Sequence, residues 1–201
     1  RHGDRFYPTF SGVARSLNFY PIAPEKSEDG IANIAMGLGK HIVDGGVTLR
    51  FSPRHPERVL QLATPETALR ETQKYYYALN LDEESFRPST NDAVNLLKLR
   101  ISEADKDGVL RKISSVYDFD NNMLREGTYL KGKRVMTFSS ILKHKKFPLA
   151  DILSSVLDIG SKAMSNPIEI EFAVCLDNPE KKPDIFSFLQ IRPIVEHQEA
   201  D

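Results

Sequence analysis

Residues 168–194 read IEIEFAVCLDNPEKKPDIFSFLQIRPI, and how this stretch is parsed decides the fold. Ile168, Ile170, Phe172 and Val174 recur at every second position, the period at which successive side chains point to opposite faces of a strand. Glu169 and Glu171 fill the positions between and therefore share the other face. A break rich in Asp, Asn, Pro and Lys follows, and then a second strand-like run carries Gln190 and Arg192 two residues apart. Paired as a hairpin with those faces matched, the two runs would gather two acids, an amide and a guanidinium on one small surface. Such a set suits an anionic ligand held through a metal ion.

Immediately upstream, Leu149–Met164 shows Leu149, Ile152, Leu153, Val156, Leu157 and Ile159 at helical spacing behind Pro148, which predicts a helix whose stripe covers a sheet. Nearer the start, residues 5–16 read as an extended segment broken by Pro8 and Gly12, followed by a loop through Pro21, Pro24 and the acidic turn at 27–30. Residues 31–36 predict a buried strand, Gly37-Leu38-Gly39 a sharp exit turn, and residues 40–44 a short helical piece stopped by Gly45-Gly46. Residues 47–51 and 58–62 read as further strands. Thr64, Pro65 and Glu66 signal a helix start, and the helix is expected to run towards Tyr77. The polar stretch 82–92 predicts a surface loop, 94–101 a strand, and 118–133 turns, while 109–117 fits a strand or a short helix equally.

Composition bounds the function classes. A chain of 201 residues suits one sizeable domain or two small ones, and it can bury a real core without staples. Its 27 basic and 28 acidic residues leave a formal charge of -1, so there is no general electrostatic pull towards nucleic acid or an anionic membrane. The lone Cys175 argues against a disulfide framework and points to a reducing, cytoplasmic compartment. No apolar run reaches the roughly 18 residues of a membrane span. The opening at Arg1, without Met and directly in strand-like text, predicts that residues 1–201 are a single partial domain of a longer protein.

Two anchors carry a resemblance to a known family. Ile168 to Phe172, followed after a loop by Phe188-Leu189-Gln190-Ile191-Arg192-Pro193, resembles the closing hairpin of the nucleotide-binding domain of the phosphoenolpyruvate synthase and pyruvate phosphate dikinase family. Ser11-Gly12-Val13-Ala14, Asn33-Ile34-Ala35-Met36-Gly37-Leu38-Gly39 and Ile42-Val43-Asp44-Gly45-Gly46-Val47 resemble an upstream part of the same domain, in the same order. That domain is similar to the ATP-grasp fold. The resemblance therefore implies an α+β subdomain, the carboxy-terminal portion of an ATP-grasp-like domain, with a largely antiparallel sheet backed by helices.

Carried over residue by residue, the resemblance implies that Glu171 and Gln190 bind a Mg2+ bridging ATP phosphates, and that Arg192 is the catalytic residue holding the transferring phosphate. Glu169 would stand beside them, towards the ribose or a metal. These residue types fit the chemistry, since Mg2+ takes one or two protein carboxylates and completes its shell with phosphates and water, and a guanidinium offers a planar fork to phosphate. Family members phosphorylate a histidine on a separate mobile domain, from which the phosphoryl group passes to pyruvate. The implied partners are thus ATP, an amino-terminal ATP-grasp half lying before Arg1, and a phosphohistidine domain. Lys40 stands where the family tends to carry Glu, and Arg15 where it usually carries Phe.

Plainer readings stand beside these. Glu169 and Glu171 also fit the solvated face of an edge strand. The basic runs Lys143-His144-Lys145-Lys146 and Lys131-Gly132-Lys133-Arg134 read as solvated loops rather than a docking surface, and the histidines lack metal-ligand spacing. Cys175 reads as a small apolar filler. For the whole chain the alternatives are a nucleotide-binding regulatory module without phosphotransfer, or a structural or interaction domain.

Overall fold

The computed structural model describes residues 1–91, 93–126, 132–176 and 183–194. In chain order the elements are β1 (Arg5–Phe6), β2 (Phe10–Arg15), β3 (Ile31–Ala35), α1 (Lys40–Val43), β4 (Leu49–Phe51), α2 (Pro65–Arg70), β5 (Tyr75–Asn80) and β6 (Leu96–Arg100). There follow α3 (Leu110–Ile113), β7 (Ser115–Asp118), β8 (Met123–Arg125), β9 (Lys133–Val135), α4 (Ser139–Leu142), α5 (Leu149–Met164), β10 (Ile168–Cys175) and β11 (Ile185–Pro193). The result is a mixed α/β fold with antiparallel sheets and few helices, in keeping with the hairpin expected from the alternating runs and with the largely antiparallel sheet that the resemblance implies. Among the described residues no helix is long and apolar enough to cross a membrane.

The principal sheet has the order β11-β10-β2-β3-β4, so the Glu-bearing strand lies inside it and the Gln-bearing strand at its rim. On one face Ile168, Ile170, Phe172 and Val174 of β10 join Phe10 and Ala14 of β2 and Ile34 of β3, all nearly or wholly buried. Helix α5 covers this face with Leu149, Leu153 and Leu157. Gly12 is needed there because Phe172, its partner in register, lays its ring across the backbone. A Cβ at Gly12 would stand 2.2 Å from the Phe172 ring. Gly12 therefore lies within a continuous strand and does not break it, as its identity alone had suggested.

Of the two smaller sheets, β1-β5-β6 joins this core through Tyr76 and Ala78 of β5, whereas β8-β7-β9 buries Tyr117 and Val135 in a second cluster with Ala68. A buried amide ties the first of them to the principal sheet: Gln73 accepts from Met36 N at 2.8 Å and donates to Met36 O at 3.0 Å. The Gly37-Leu38-Gly39 turn is fixed by Leu38 N donating to Tyr77 O and by Ser11 Oγ donating to Gly37 O. Gly37 has φ 86°, which L side chains rarely adopt, and a Cβ there would lie 2.8 Å from Tyr77 O.

Several expectations are corrected. The helix signalled by Thr64 does begin there, with Thr64 Oγ1 capping Thr67 N, but it ends at Arg70, and the three tyrosines 75–77 open strand β5. Residues 58–62 form no strand, and Leu60–Leu62 is a 3-10 turn. Ile159 leaves the apolar stripe of α5 at 69% exposed, while Gly160 takes its place against the sheet. The ambiguous stretch 109–117 contains both a short helix and a strand. The basic residues 143–146 are exposed, as a solvated loop requires, whereas Lys131, the linker of the Glu-bearing hairpin at 177–182 and His197 lie outside the described residues.

Candidate functional site

The uncovered face of the principal sheet carries the polar side chains, and its register fixes which of them meet. Strands β10 and β11 pair with Glu169 opposite Arg192 and Glu171 opposite Gln190, as the matched-face hairpin predicts. On its other side β10 pairs with β2, setting Glu169 opposite Arg15 and Glu171 opposite Val13. Two rows therefore cross the strands: Arg15, Glu169 and Arg192 in one, and Val13, Glu171 and Gln190 in the next. Through β2 and β3 the second row continues to Asn33 and then Arg50.

A bulge falls immediately beyond these rows, where Glu171 pairs with Gln190 but Phe172 pairs with Phe188, leaving Leu189 as the extra residue. Bulges bend a strand and re-aim its neighbours, and this one separates the polar register of Gln190 and Arg192 from the apolar register of Phe186 and Phe188. The start of β10 is pinned as well. Ile168 N donates to Ser16 Oγ at 2.9 Å, and Ser16 N donates to Ile168 O at 2.9 Å.

Glu169 is not on a solvated edge. It is 4% exposed, and each carboxylate oxygen receives a guanidinium from a different neighbouring strand. Arg15 Nε donates to Oε2 at 2.5 Å, while Arg192 donates to Oε1 through Nε at 2.7 Å and through Nη2. Burial pushes the Glu169 carboxyl up, but the hydrogen bonds from Arg15 and Arg192 outweigh it, so the net shift is downward and the group stays ionised. Arg192 is pushed the other way, first by its hydrogen bonds to Glu169 and then by the charge of that carboxylate, with Glu171 adding to the effect. Glu169 thus faces two arginines, which among the described residues supply all three hydrogen bonds to its side-chain oxygens.

Glu171 and Gln190 remain as the oxygen donors of the second row. Among the described residues no group of three or more His, Cys, Asp and Glu side chains is placed to hold a metal ion. A carboxylate and an amide oxygen facing each other across two strands nevertheless fit a hard cation that draws most of its shell from phosphate and water. Beyond Asn33 the same face runs into a cavity of about 340 Å³ bordered by Tyr20, Ile31, Asn33, Thr48, Arg50 and Gln61.

Of the four residues expected here, all lie on one face in two adjacent rows. Sequence reasoning assigned no site role to Arg15, whose contact with Glu169 spans 154 residues of chain. No protein-family model matches the chain, and no curated protein matches it.

Proposed function

We propose that this face is one wall of a Mg2+–ATP site in an ATP-dependent phosphotransferase resembling phosphoenolpyruvate synthase, built on an ATP-grasp-like subdomain. The observation that supports the reading is the pairing register, which sets the Glu171 carboxylate opposite Gln190 and the Arg192 guanidinium one pleat away. Glu171 and Gln190 would hold the metal, which when bound neutralises phosphate oxygens. Arg192 would orient the transferring phosphoryl group with a charge-assisted fork, positioning being most of what such a transfer needs. The acceptor would be a histidine on a separate domain and, after it, pyruvate. An amino-terminal ATP-grasp half would supply the opposite wall.

Calorimetric titration with Mg–ATP of the chain joined to such a half tests the site. Glu171→Ala and Gln190→Ala should each weaken binding about tenfold, the equivalent of ~1.4 kcal/mol; binding indifferent to both would refute the assignment. A second reading, a nucleotide-binding module without phosphotransfer, draws on Arg192 being already engaged by Glu169. Phosphohistidine formation in the presence of the partner domain separates the two. Residues 1–201 alone should bind ATP weakly and turn nothing over.

A further inference from the structure

We propose that Arg15 is a second phosphate-binding residue, forming with Arg192 a two-guanidinium clamp for a polyphosphate chain, and that Glu169 is the positioning residue that sets both arms. The inference rests on reading this face as a phosphate site, and it adds an arm that the hairpin alone does not contain.

Three observations carry it. Arg15 and Arg192 flank Glu169 in register from opposite sides, so their Cα atoms lie two strand spacings apart, about 10 Å, while both side chains converge on one carboxylate. Each guanidinium turns its Nε edge to that buried acid. Arg15 uses only Nε there and Arg192 uses Nε and Nη2, so among the described residues both Nη groups of Arg15 and Nη1 of Arg192 remain for another acceptor. Finally, the arginine side chains are 47% and 58% exposed, whereas that of Glu169 is 5% exposed, so an incoming anion meets the cations and not their counter-charge.

The trio carries a net charge of +1, and its forks are oriented before any ligand arrives, which lowers the ordering cost of binding. Ser16 holds this arrangement in register through its two hydrogen bonds to Ile168. The metal-ligand row of Glu171 and Gln190 lies one pleat repeat away, about 7 Å along the strands. A polyphosphate can bridge the two rows, whereas a single orthophosphate reaches only one.

The test follows the Nε–H signals of Arg15 and Arg192 by NMR while the 201-residue chain is titrated with tripolyphosphate, and separately with orthophosphate, in MgCl2. Both signals should move along one isotherm, and tripolyphosphate should bind more tightly than orthophosphate. Arg15→Gln should weaken tripolyphosphate about tenfold, and Arg15→Lys should restore part of that loss. A motionless Arg15 signal in the native chain, or unchanged affinity in Arg15→Gln while Arg192→Gln weakens binding, overturns the clamp and leaves the phosphate site standing. No binding of either anion overturns both. Binding that needs both arginines yet ignores Glu171→Ala and Gln190→Ala supports the clamp and removes the metal assignment.

Discussion

Glu169 shows how burial and charge combine at a single residue. Its carboxylate is out of water and is held by two cations that are not, so the partners differ in what their removal costs. Glu169→Ala leaves two arginines that can turn into solvent, and should cost about 1–3 kcal/mol, the value of charge-assisted hydrogen bonds. Replacing both Arg15 and Arg192 by Gln strands a buried carboxylate, and should cost more, about 3 kcal/mol or above. Urea denaturation of the two variants at neutral pH would rank them, and the reverse order would contradict this picture. Because the folded carboxyl titrates below its ordinary value near 4.5, its contribution is present above that pH and is lost as pH falls through the lower folded value. The faces of Glu169, Glu171, Gln190 and Arg192 were legible because a period of two leaves no choice of side. Arg15 was not, because nothing near it in sequence names the acid it meets.

At the level of elements, local signals succeeded where the chain closes its own hydrogen bonds and failed where distant groups intervene. Helix α5 was readable from its apolar spacing alone, and the structure keeps its ends at Leu149 and Met164. Helix α2 began where Thr64, Pro65 and Glu66 said it should, but Thr72 and Gln73 then turn inward. Thr72 Oγ1 accepts from Met136 N, and Gln73 bridges to Met36, so the chain is drawn into β5 by partners no local window contains. Within α5 the departure from simple periodicity is itself testable. Leu153 is wholly buried and Ile159 is 69% exposed, although both are branched aliphatics on one helix. Leu153→Ala should lose about 2–5 kcal/mol, whereas Ile159→Lys should stay within about 0.5 kcal/mol of the native chain. Equal losses would mean that α5 sits on the sheet in another rotation.

For the whole molecule, pH reports how the layers hold together. Burial pushes the His41 imidazole down from 6.5, against the opposing hydrogen bond to Val47 O, so the folded chain keeps it neutral. Tyr7 lies where β1 leads into β2, and its hydroxyl donates to Asp107 Oδ2 at 2.5 Å. Burial first, and that bond second, push its phenol far above 10.0. The signs follow directly. A depressed histidine contributes stability that is present above pH 6.5 and lost on acidification, and a raised tyrosine contributes stability that is present below pH 10.0 and lost as alkali ionises the unfolded chain. Thermal melts should therefore show a plateau between those limits. His41→Gln should flatten the acid limb just below the plateau and Tyr7→Phe the alkaline one; limbs unaltered in these variants would assign the titration elsewhere.

The pairing of β2 with β10 also bears on how the protein is made. The third and second strands of the principal sheet are separated by most of the chain, so on the ribosome β2, β3 and β4 wait with an open rim until residue 168 and beyond emerge. Contacts of such separation are slow to form, and an unpaired strand beside apolar residues such as Phe10 and Ile34 invites association with other chains. A chain ended after residue 164 should accumulate as aggregate, and supplying residues 165–194 as a separate peptide during refolding should raise the soluble yield. The hairpin would then act as the chain's own late-arriving chaperone, closing the nascent sheet in the same step that lays down its polar face.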